Sequence, residues 1–105
     1  MPKLGLLLVC AVTAFGASAA YAGCGSLQSS ASSQPADIKF VNTTKGAVTV
    51  SWYLIGGGLR AYKTLAPSQS YVQATFTNHV WALTDVKAEC LSTLVVHKSR
   101  VFNIR

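Results

Sequence analysis

Between Ser70 and Trp81 the sequence reads SYVQATFTNHVW, which sets a hydroxyl at Thr75, an imidazole at His79 and an indole at Trp81 within one short stretch. A hydroxyl and an imidazole side by side can both donate and accept hydrogen bonds, and an indole supplies a broad apolar wall next to them. His79 and Trp81 are two apart, so on a strand they face the same side. Thr75 lies just across the polar Thr77-Asn78 connection, where a neighbouring strand would deliver it nearby. The residues alone allow two readings, a small pocket of mixed polarity or core indoles beside a hydrogen-bonded structural His, and the second is the commoner arrangement.

Neither suits acid–base catalysis, which wants paired carboxylates or a His with an orienting acid. Asp37, Asp85 and Glu89 are the only acids in the chain. Asp37 falls in linker-like sequence, and Asp85 and Glu89 bracket a VKA segment where turn formation is role enough. There is no G-x-S-x-G elbow and no H-x-x-x-H pair, and Gly56-Gly57-Gly58 lacks the G-K-[ST] of a phosphate loop. His79 and His97 are the only imidazoles, too few ligands for a metal site. No enzyme, metal or cofactor is expected.

The elements that must position these residues are strands. IKFVN puts Ile38 and Phe40 on one face, and AVTVSWYLI puts Val48, Val50, Trp52 and Leu54 on one face with Thr49, Ser51 and Tyr53 on the other. SYVQATF, HVWALTD, CLSTLVV and RVFNI follow, separated by turn-forming residues, and no segment has helical periodicity. NTTKG and the triple Gly have turn chemistry. The expected fold is an all-β sandwich of two small sheets, about six to seven antiparallel strands, with no helical domain. Asn42-Thr43-Thr44 also fits a glycosylation acceptor.

Residues 1–22 pair Lys3 with an apolar run and the small-residue pattern Ala20-Tyr21-Ala22, the marks of a secretory signal peptide. Export to a periplasm or to the medium is expected, with no transmembrane segment in the mature chain. Cys24 after YAG offers a lipid-anchored alternative, although Tyr21 stands where such motifs carry an aliphatic residue. Cleavage leaves about 83 of the 105 residues and removes Cys10. Cys24 and Cys90 then remain in an oxidising compartment, so a disulfide between them is expected in a domain too small to be secure without one. Residues 23–37, with GSLQSSASSQPAD, form a Ser/Ala-rich flexible lead-in, and 38–105 form the folded unit. The net charge of +6 over the whole chain is carried by singly spread Lys and Arg residues, which argues for solvated surface rather than a nucleic-acid partner. A monomer is expected.

From Ile38 to about Val96 the chain resembles the von Hippel–Lindau β-domain family. The likeness runs through IKFVN, VSWYL, Tyr62, TLAPSQS, TFTNHVW and CLSTLVV, with ungapped spacing from Trp52 through Tyr62 and His79 to Trp81. It implies a seven-stranded sandwich that captures a peptide bearing 4-hydroxyproline. Trp52, Tyr62 and Trp81 would wall the pocket, and Thr75 and His79 would bond the ring hydroxyl. Thr75 stands where the family has Ser, keeping the hydroxyl and adding a methyl that narrows the pocket. The likeness stops before the family's helical, ligase-recruiting domain, and that function is not implied. The function expected is therefore an exported, non-enzymatic binding module for a proline- or hydroxyproline-containing extended peptide or protein. The alternative is a structural or envelope-associated sandwich with a vestigial pocket, whose partner binds along a sheet edge.

Overall fold

The computed structural model describes residues 24–105, and the expected signal peptide lies outside the described residues. Seven strands succeed one another: β1 (Pro35–Asn42), β2 (Val48–Tyr53), β3 (Leu59–Leu65), β4 (Ser70–Phe76), β5 (Val80–Thr84), β6 (Cys90–Val95) and β7 (Arg100–Ile104). They form a three-stranded sheet in the order β4-β1-β7 and a four-stranded sheet in the order β3-β2-β5-β6. Among the described residues there is no helix.

Period-two alternation builds the core. Ile38 and Phe40, Val48 and Val50, Trp81 and Leu83 all turn inward and meet Leu65, Leu94, Val96 and Ile104 between the sheets. Phe40 sits at the centre, its ring 6.0 Å from those of Tyr71 and Phe102 and 6.1 Å from Trp81. Burying each such aromatic stabilises the fold by about 2–3 kcal/mol. The β3 strand escapes a reading by alternation, because every residue from Leu59 to Thr64 is exposed and only Leu65 is buried. It is an edge strand held through its backbone pairing with β2.

Two expectations need correcting. The ladders are not all antiparallel: β7 runs parallel to β1, with Phe40 opposite Phe102. The chain passes between the sheets repeatedly, and its last crossing returns β7 beside β1 in the same direction. The lead-in at 23–37 is not flexible over its described part. Pro35 already begins β1, and residues 24–34 form a strap over the outer face of the four-stranded sheet. Ser29 is buried there, its N–H donating to Leu54 O, its hydroxyl donating to Tyr53 O and accepting from Val80 N. Ser30 N donates to Asn78 O, and Thr77 N donates to Gln34 O. The reason is that Tyr53, Val80 and Ala82 turn to this outer face, and Cys24 packs against them.

Cys24 is bonded to Cys90, 66 positions away. Closing so long a loop contributes about 4 kcal/mol by chain entropy. Asn42, the possible glycan acceptor, is fully buried: its Nδ2 donates to Gly46 O and Leu65 O, and its Oδ1 accepts from Thr44 N and Oγ1. Its side chain is spent on closing the turn after β1.

Candidate functional site

The open side of the sandwich lies where edge strands β4 and β3 face one another. A cavity of about 160 Å³ is lined there by Trp52 from β2, Tyr62 from β3, Gln73, Ala74, Thr75 and Phe76 from β4, His79, and Trp81 from β5. All five side chains singled out in the sequence meet at this one cavity.

Each is placed by a distinct local cause. Trp52 and Trp81 are direct partners across the β2–β5 ladder, so both turn to the inner face of their sheet. Tyr62 depends on a β-bulge. Val50 pairs with Lys63 but Ser51 pairs with Ala61, which leaves Tyr62 as the extra residue in β3. Strict alternation from the inward Leu65 would turn Tyr62 away from the cavity. The bulge re-aims it, bringing its ring to 5.2 Å from Trp81 and 6.4 Å from Trp52, edge-on to both.

Thr75 and His79 come from opposite sides of a sheet crossing. β4 belongs to the three-stranded sheet and β5 to the other, so Thr77-Asn78 is not the link of a paired hairpin but a corner. Asn78 takes the left-handed conformation at φ 68°, which Asn tolerates better than most residues. His79 N donates to Phe76 O, Asn78 N donates to Val96 O, and Val96 N donates to His79 O. The corner is thus clamped, and the His79 ring packs at 5.4 Å from Trp52 and 5.5 Å from Phe76. Thr75 sits opposite Ala36 in the β1–β4 ladder, and its Oγ1 accepts the Trp81 Nε1 proton at 3.0 Å.

The polar bookkeeping of the cavity is uneven. With Trp81 donating to it, the Thr75 oxygen keeps its own proton free to donate. Burial lowers the His79 pKa below its usual 6.5, so the ring is neutral at pH 7 and carries one acceptor nitrogen. Among the described residues the Trp52 indole N–H is buried without a partner, a condition that costs about 1–3 kcal/mol.

Gln73, Ala74 and Phe76 were not singled out in the sequence. Gln73 carries a signal, being two residues before Thr75 and so on its face. Phe76 has the opposite parity and reaches the mouth because the chain turns sharply after it. Among the described residues no group of three or more His, Cys, Asp or Glu side chains gathers into a metal-binding cluster, and no helix is long and apolar enough to cross a membrane.

No curated protein matches the sequence. The sequence model of one family, the VHL beta domain, matches residues 27–104. That span takes in all seven strands, every residue of the cavity and most of the strap, and the chain belongs to the VHL beta domain family.

Proposed function

We propose that this domain is an exported, non-enzymatic binding module that grips an extended peptide or protein by a proline or hydroxyproline ring. The observation that carries this is the convergence of Trp52, Tyr62, Thr75, His79 and Trp81 on one cavity of about 160 Å³. Its size favours a single ring. Sites for whole small molecules and cofactors run from about 300 Å³ upward. Aromatic walls offer a rigid, apolar imino-acid ring large contact at little entropic cost.

The polar pair supplies discrimination. A ring hydroxyl can accept from Thr75 and donate to the neutral His79 nitrogen. Plain proline leaves both groups desolvated and unpaired, at about 1–3 kcal/mol, a roughly five- to hundredfold difference in affinity. Membership of the VHL beta domain family, a domain known for recognising hydroxyproline, points the same way. The disulfide between Cys24 and Cys90 is compatible with the oxidising surroundings of an exported protein.

Calorimetric titration with matched peptides that differ only in the ring hydroxyl tests the reading. Tighter binding of the hydroxyproline peptide, lost in His79→Ala, is the expected result. Equal weak binding of both peptides, unchanged in that variant, sinks it. A second reading, partner capture along a sheet edge with the pocket vestigial, draws on β4 being an edge strand with Val72 exposed. It requires that pocket substitutions leave capture intact while β4 edge substitutions abolish it.

A further inference from the structure

The β3 bulge does more than aim Tyr62. Before it, Arg60 stands opposite Trp52, and after it Lys63 stands opposite Val50. Residues directly opposite one another share a sheet face, so Arg60 and Lys63 both project on the side of the cavity, one on each flank of Tyr62. Both are exposed. The Lys63 ammonium lies 5.8 Å from the centre of the Tyr71 ring on the facing edge strand β4, and the Tyr71 hydroxyl donates in turn to Oε1 of Gln73, which lines the cavity.

Neither cation has an acid nearby. Asp37 is exposed between the buried Ala36 and Ile38, on the outer face of the three-stranded sheet. Asp85 and Glu89 belong to the β5–β6 turn, where the Asp85 carboxylate accepts from Lys87 N and Glu89 N. The turn joins β5 to β6 on the side of the four-stranded sheet away from β3, with β2 between it and both cations. Tyr71 offers no counter-charge either, since burial first and then the neighbouring Tyr62 push its pKa up to about 12. The β3 rim of the aromatic notch therefore carries two positive charges, and β2, β3 and β4 contain no acid to compensate them.

We infer that Arg60 and Lys63 select a ligand whose ring residue is flanked by acidic side chains, so that this pocket takes an acidic extended peptide rather than a neutral or basic one. This rests on the pocket reading above and adds the charge of the ligand to it. The fit is one of reach as well as sign. An extended chain rises about 3.1–3.4 Å per residue, so acids two or three positions from the ring pass beside the bulged strand while the ring is seated.

The test uses the disulfide-bonded domain and four peptides, with proline or hydroxyproline at the centre and Asp or Asn at the flanking positions, titrated at low and at near-physiological salt. Asp-flanked peptides are expected to bind about three- to tenfold tighter, as for two partly screened ion pairs. The preference should shrink as added salt shortens the screening length to about 8 Å. It should vanish in the Arg60→Gln/Lys63→Gln double variant, whose exposed positions leave the core untouched and whose thermal melt reports folding. Equal affinity for Asp and Asn flanks, or a preference that survives in the double variant, overturns the inference. The pocket reading then still stands as long as hydroxyproline and proline peptides differ. Absence of saturable binding by any of the four overturns both.

Discussion

The indole N–H of Trp81 donates to the hydroxyl of Thr75 at 3.0 Å, joining a central strand of one sheet to an edge strand of the other beneath the cavity. Both groups are buried, so the bond braces the sandwich and at the same time orients the Thr75 proton. Thr75→Val keeps the shape and removes the acceptor. Urea unfolding should register a loss of about 1–3 kcal/mol for the orphaned indole donor, and Thr75→Ser should stay close to the parent. Equal stability of the Val and Ser variants would refute the bracing role.

Tyr62 and Trp81 touch the same cavity but differ in what else they hold. Trp81 is 2% exposed and packs on Phe40, whereas Tyr62 is 45% exposed on an edge strand. Trp81→Ala should cost about 3–5 kcal/mol of stability, and Tyr62→Ala about 0.5 kcal/mol or less. Affinity for a ring-bearing peptide should fall in Tyr62→Ala with the melting temperature nearly unchanged, a separation that parallel melts and titrations will display.

His79 gives the domain a directional response to acid. Its folded pKa lies below 6.5 because of burial, so between the two values the unfolded chain binds more protons than the folded one. Stability from this group is therefore fully present above pH 6.5 and declines as the pH falls through that window. Peptide affinity should decline in parallel, because the protonated ring has no acceptor nitrogen. Unfolding and titration across this window, with His79→Gln as control, check both slopes; a flat parent profile refutes the assignment.

Reduction of the Cys24–Cys90 bond should release the strap. The expected loss is about 4 kcal/mol in urea unfolding, with fastest amide exchange at Ser29 and Ser30, whose N–H groups the strap pairs with Leu54 and Asn78. Ser29→Ala should loosen the same region with the disulfide intact, since Val80 N loses its acceptor. Uniform protection along 24–34 in the reduced protein would count against a strap secured by that bond.

Much of the fold and the meeting of the five site residues was legible in advance, because alternation marks faces and the spacing from Trp52 to Trp81 carried a family resemblance. Legibility ended where backbone geometry departs from regular repetition. The bulge at Tyr62, the left-handed corner at Asn78 and the patternless edge strand at Leu59–Leu65 leave no periodic trace. The strap failed for a different reason. GSLQSSASSQPAD looks unstructured by composition, yet its hydroxyls and backbone donors are what a sheet face with Tyr53 and Val80 turned outward requires.

Cys24 packs on the outside of the four-stranded sheet, and the cavity opens on the inside of that same sheet. A bead, a dye or a carrier protein joined ahead of Cys24 is thereby kept on the back of the molecule, and an array immobilised from that end would display every mouth to the surrounding liquid.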